Sequence, residues 1–221
     1  MDSTNIIQNI LIYALPVLLA ITVHEAAHGY AARHFGDNTA YMLGRITLNP
    51  LKHIDPIGTI LMPLLLIFAG SPFLFGYAKP VPVRFGNLRN PKRDMVWVAL
   101  AGPASNLVMA LIWGIIFYLL QGADVNEPFF NKMAQGGILV NAVMFAFNLF
   151  PLPPLDGGRI LVGVLPYKYA ELVSRVEPWG FFIVLGLVVA GVINTIWMSP
   201  MMSVTYGLLE IVLSPLAMLV K

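Results

Sequence analysis

The stretch ITVHEAAHGY places His24, Glu25 and His28 inside an apolar run that begins near Ile6, so an HExxH pattern lies within a segment long enough to cross a membrane. Residues four apart share one face of a helix. That spacing lets two neutral imidazoles hold one Zn²⁺ while the neighbouring Glu serves as general base towards a water the metal activates. Ionisable side chains are costly in hydrocarbon, so a cluster of them at that depth reads as a working site. The rival reading is a chance match, because the pattern specifies so few residues.

The chain has no cysteine, which removes disulfides, thiolate catalysis and Cys-based zinc sites together. Any metal must be held by His, Asp or Glu. Of 221 residues 58% are hydrophobic and only 11% charged, with a mean hydropathy of +0.77. A soluble domain carries about a quarter charged residues, so the composition describes an integral membrane protein. A net charge of +2 gives no reason to expect a nucleic-acid partner. The start MDSTNIIQN lacks the basic region of a cleavable signal peptide.

Apolar segments of crossing length lie at about 6–35, 95–120, 134–151, 179–197 and 200–220. A further run, Ile57 to Ala69, is 13 residues long, contains Pro63 and falls short of the ~20 residues a spanning helix needs. It reads as a re-entrant or interfacial segment whose backbone must be covered by protein or a water-filled cavity. Charge placement favours this. No basic residue precedes Arg33, which implies an external amino terminus, and the positions from Arg45 to Arg93 then flank the short run on one face. With that topology twelve of the thirteen basic residues are cytoplasmic, Lys132 being the exception. The expected fold is an α-helical polytopic membrane protein of five or six transmembrane helices, with a re-entrant or β-hairpin loop between the first two core helices. Residues 1–165 would form the core and 166–221 a C-terminal transmembrane hairpin.

The first helix then runs inward and delivers His24 and His28 near its cytoplasmic end, with Arg33 about 7 Å farther along at the interface. A hydrolytic zinc site needs a third protein ligand and an open position. Asp156 in NLFPLPPLDGGR arrives from the crossing that returns to the cytoplasm; Pro151, Pro153 and Pro154 stop regular helix there, and Gly157 and Gly158 relieve steric limits. The rival reading makes Asp156 the cap of a helix at 157–165; with HEAAH in the chain the ligand reading is preferred, and both roles can coexist. Asn141 and Asn148 lie seven apart on nearly one face and form a polar seam, in which Asn148 bonds to Asn106 or Ser105 or serves the reaction. His53 and Asp55 read as a surface His and a turn cap before Pro56. His34 reads as interfacial. Glu210 reads as a membrane carboxyl that is protonated or bonded to a neighbouring helix, with gating or a further zinc contact as the rival.

HEAAH in the first helix, AGPASN at 101–106 and NLFPLPPLDGG at 148–158 together resemble the site-2 protease family of intramembrane zinc metalloproteases, over roughly residues 15–165. The resemblance implies one Zn²⁺ per chain held by His24, His28 and Asp156, with Glu25 as catalytic carboxylate and Asn148 holding substrate or the developing oxyanion. It implies membrane-associated β structure between the first two core helices, where KPVPV could pair with an extended substrate, although Pro80 and Pro82 lack donors for such pairing. The partners it implies are the bilayer and a transmembrane protein substrate that is locally unwound before cleavage; a homo-oligomer is compatible with it. No segment is long enough for a PDZ or CBS domain. Two other functions remain open, a metal-binding membrane transporter and a catalytically silent client-binding protein. A transporter commonly shows an inverted repeat, and none is visible.

Overall fold

The computed structural model describes residues 3–68, 78–125 and 127–220, and among these every regular element is helical. The long apolar run at the start forms α1 (Ser3–His34), which keeps the fully buried Pro16 in its interior. At ~1.5 Å per residue its 32 residues extend about 48 Å, more than the ~30 Å of hydrocarbon in a bilayer. After α2 (Thr39–Met42) the chain makes a short 3₁₀ turn at Pro50–Lys52 and a π-helical turn at Pro56–Leu61 that leads into α3 (Met62–Phe68). Then follow α4 (Pro91–Gly122), α5 (Pro128–Asn148), α6 (Asp156–Val164), α7 (Tyr167–Ser174), α8 (Glu177–Val189) and α9 (Ser199–Leu219).

Helix α4 is the hub, packing against α1, α5, α6 and α9. Small residues are buried along these helices: Ala99, Gly102 and Ala110 on α4, Ala20, Ala26 and Ala32 on α1, and Ala134, Ala142 and Ala146 on α5. Small side chains let backbones approach closely, which is how helices associate where hydrophobic burial gives little drive. Large apolar side chains point outward instead, among them Ile112, Ile115 and Leu119 on α4 and Val204, Leu208 and Ile211 on α9. Such a surface suits lipid.

Among the described residues three stretches are long and apolar enough to cross a membrane, Ile10–His34, Pro91–Gly122 and Asn194–Leu219, and the chain is a membrane protein. The expected crossing at 179–197 is interrupted. Helix α8 is bent 66° from α7 and ends at Val189, where Gly191 takes a left-handed φ of 72° that closes the helix. A π-helical turn at Asn194–Met198 then runs into α9. The expected re-entrant run at 57–69 is helical as far as Phe68, and its end, with the chain up to residue 77, lies outside the described residues. No strand occurs among the described residues on either side of that gap.

The C-terminal end of α1 is tied to the chain before α4 by Asp37, a fully buried carboxylate. It accepts from Thr39 N–H (3.0 Å), Thr39 Oγ1 (2.5 Å), Arg84 N–H (2.6 Å) and Asn87 Nδ2 (3.1 Å). Burial alone would raise its pKa; these donors outweigh burial and hold the carboxyl below its ordinary 3.8. Asp37→Ala should cost about 2–3 kcal/mol at pH 7, because charge-assisted bonds are lost and buried donors stranded. A depressed folded pKa means this stabilisation is complete above the unfolded-chain value and fades as pH falls through the folded one. Thermal unfolding in detergent should therefore show the gap between variant and parent closing below pH 4. A gap independent of pH would show that the ionised form is not what stabilises.

Candidate metal centre and its surroundings

Helical spacing puts His24 and His28 on one face of α1, and that face looks at α4. His24 Nδ1 lies 2.6 Å from Asn106 Oδ1, and His28 Nδ1 lies 2.7 Å from the Val98 carbonyl oxygen. Both partners accept only, so both Nδ1 atoms carry hydrogen. The Asn106 orientation is settled in turn, since its Nδ2 donates to Ala20 O (3.2 Å) and Asn141 Oδ1 (3.0 Å), while Asn141 Nδ2 donates to Gly137 O (2.9 Å). A chain of carbonyl-anchored amides thus selects the tautomer of His24, and each imidazole presents a bare Nε2.

Those two Nε2 atoms are 3.1 Å apart, and each is 3.3 Å from Asp156 Oδ2. Asp156 is 9% exposed, and its Oδ2 is buried with no hydrogen-bond partner. Three electron-rich atoms in such proximity repel one another unless a cation sits among them. Tetrahedral Zn²⁺ with bonds near 2.0–2.1 Å spaces its ligand atoms by about 3.3 Å, so the donor set fits that ion. Asp156 opens α6 behind the turn Pro151–Leu155, with Leu155 in the capping position. The carboxylate faces the imidazoles, in a position from which it could hold a metal ion together with them.

Gly102 is the counterpart on α4. A Cβ there would overlap His28 Nε2 and His24 Cε1, so the close approach of α4 to the two rings depends on its absence. Pro103, inside α4, has no N–H for the Ala99 carbonyl and loosens the helix ladder next to Val98, whose oxygen holds His28.

Glu25 and Asn148 line the same cavity of about 140 Å³ as the three donors, with Arg159 at its wall. Glu25 Oε2 accepts from the backbone N–H of Val81 at 2.6 Å. Asn148 Nδ2 donates to Met144 O of its own helix at 3.0 Å, so neither Asn106 nor Ser105 is its partner; Ser105 bonds to Gly102 O. The polar seam runs through Asn141 and Asn106 to His24. His53, read as a surface residue, is 1% exposed with Nε2 2.9 Å from Thr47 O. Asp55 caps the turn at Pro56 as expected, accepting from Ile57 N–H and Gly58 N–H at 3.0 and 2.8 Å. His34 is exposed at the end of α1, and Glu210 sits on the exposed face of α9. Sequence reading missed Asn106 as the support of His24; its signal was a polar residue at the end of AGPASN, inside an apolar helix.

Removing that support gives a sharp expectation. Asn106→Leu frees His24 to rotate, and outer partners of metal-bound histidines are typically worth about 10–100-fold in affinity. Competition with a chelating dye should show a loss of that size; unchanged affinity would mean packing alone orients the ring.

A membrane chain with this buried donor set and a carboxyl beside it has the makings of a hydrolytic metalloenzyme. Known proteins narrow the class. Over 180 residues the chain is 40% identical to YwhC of Bacillus subtilis, a curated relative named as a zinc metalloprotease, across 79% of this chain and 78% of that one. Rip2 of Mycolicibacterium smegmatis, named likewise, is 32% identical across 80% of this chain and 66% of its own length. Zinc metalloprotease MJ0392 of Methanocaldococcus jannaschii is 26% identical across 77% of this chain and 40% of its own. The chain belongs to the site-2 protease family of zinc metalloproteases. No protein-family profile matches it, and no solved structure does.

Proposed function

We propose that this chain is an intramembrane endopeptidase that hydrolyses a peptide bond in or near a transmembrane segment of a membrane-protein substrate. The observation that carries the reading is that His24 and His28, on a helix apolar enough to cross the membrane, converge with Asp156 of α6 at 3.1–3.3 Å beside Glu25. His24, His28 and Asp156 hold the metal. Zinc bound there supplies Lewis acidity towards the scissile carbonyl and acidifies a water. Glu25 takes the proton of the attacking water and passes it to the leaving nitrogen. Asn148, at the same cavity, turns its amide from Met144 O to the substrate and donates to the developing oxyanion.

The charge pattern supports five crossings plus a membrane-embedded loop, an external amino terminus and a site near the cytoplasmic face. The core at 1–165 carries the chemistry, and 166–221 completes the bundle. A substrate helix hides its carbonyls in its own hydrogen bonds and must unwind locally before it can be cut. The test is cleavage of a transmembrane substrate by purified protein in liposomes, with products identified by mass spectrometry and zinc measured in the same sample. Cleavage with close to one zinc per chain is expected. A zinc-loaded, folded protein that cuts no membrane substrate but moves metal across the vesicle would replace this reading with transport.

A further inference from the structure

The contact between Glu25 and Val81 is not explained by the metal site, and it belongs to a segment built in an unusual way. In Lys79–Arg84 the sequence KPVPVR sets Val81 between two prolines, so across 80–82 only Val81 has an N–H to give. That one donor meets Glu25 Oε2 at 2.6 Å, in a position where Val81 itself is 6% exposed. The segment is fastened on both sides of the contact. Lys79 N–H donates to His53 O at 2.9 Å, and Arg45 Nη2 donates to Lys79 O at 3.1 Å. On the other side Arg84 N–H donates to Asp37 Oδ2 at 2.6 Å. His53 is itself buried and bonded to Thr47 O, so the first anchor is rigid.

We infer that Val81 is a positioning residue: its backbone N–H holds one carboxylate oxygen of Glu25 so that the other is aimed at the attacking water. This deepens the proposed function and rests on Glu25 being the base. A free glutamate side chain has several torsions to fix before it can take a proton, and misplacement by about 1 Å can cost a hundredfold in rate. A charge-assisted bond from a buried amide removes that freedom. Fastening on both sides marks a fixed arm and not a flap, and the flanking prolines leave no donor at the positions next to Val81.

The test removes one hydrogen. Replacing Val81 with its α-hydroxy acid by nonsense suppression turns this amide into an ester and deletes the N–H while keeping the side chain. The expected result is a kcat lower by about 10–100-fold with KM and zinc content unchanged. Val81→Ala, which restores the N–H, should recover most of that loss. A readout that needs no metal stands beside it: in ¹⁵N-valine-labelled, zinc-free protein the Val81 amide should exchange slowly with solvent, and Glu25→Ala should accelerate it. An ester variant with parental kcat overturns the inference, and one with raised kcat shows the contact to be a brake. Exchange at Val81 indifferent to Glu25→Ala overturns it as well, even if the ester variant fails to fold. Turnover by Glu25→Gln would remove the base assignment instead, and would leave the exchange result standing.

Discussion

Glu25→Gln should abolish turnover, by at least about a thousandfold, while zinc stays near one equivalent per chain. The two halves of this expectation have separate causes. Glu25 is outside the His24, His28 and Asp156 donor set, so the metal does not depend on it. A glutamine keeps an oxygen that can accept the Val81 N–H, so the contact at that position survives and the fold with it. What glutamine lacks is a site for the proton, and general-base assistance is typically worth 10²–10⁴ in rate. Zinc analysis and kinetics on one preparation decide the matter. Parental turnover by the purified variant would reject the assigned base; loss of zinc along with activity would place Glu25 among the ligands.

Asp156→Ala should cost both activity and metal. Asp156 contributes the anion of the donor set, and its Oδ2 has no other partner to lose. The two imidazoles alone leave zinc with half of the four positions it fills in most protein sites. A drop in affinity beyond the roughly hundredfold typical of an outer partner is expected. The fold should tolerate the change, because the residue opens α6 and a carboxylate in the first turn adds only about 0.3–1 kcal/mol there. Chelator competition and circular dichroism separate the effects. A well-folded Asp156→Ala protein that keeps parental zinc affinity would mean that the third ligand is another group.

How much of this was legible beforehand depends on the range over which each feature is written. His24, Glu25 and His28 are neighbours in the chain, and helical geometry alone puts the two rings on one face. Asp156 is far away, yet its turn of prolines and glycines announces irregular backbone at the end of a crossing. Asn148 was visible as a polar residue, but its present bond to Met144 O was not, since a side chain folding back on its own helix leaves no pattern. Asn106 was read within a motif and as a partner for Asn148, not for His24. Its reach to His24 follows from how closely α4 lies against α1, and that closeness depends on Gly102 and on alanines whose contribution is the absence of bulk. His53 looked like a surface residue because a polar side chain between crossings normally is one; the Thr47 carbonyl it bonds to becomes available only once the loop has folded.

By itself the amino-acid sequence determined the solvent this chain lives in, the helical periodicity of its first segment and the chemistry of the donors, for these are properties of composition and of neighbours within a turn or two. Only the tertiary structure decided which nitrogen of each imidazole is bare, where the orphaned oxygen of Asp156 points, and that a backbone amide at Val81 meets Glu25. Hydrogen-bond direction depends on groups more than fifty positions apart arriving within 3 Å, and a backbone N–H, the same in every residue but proline, carries no signature until the chain has folded around it.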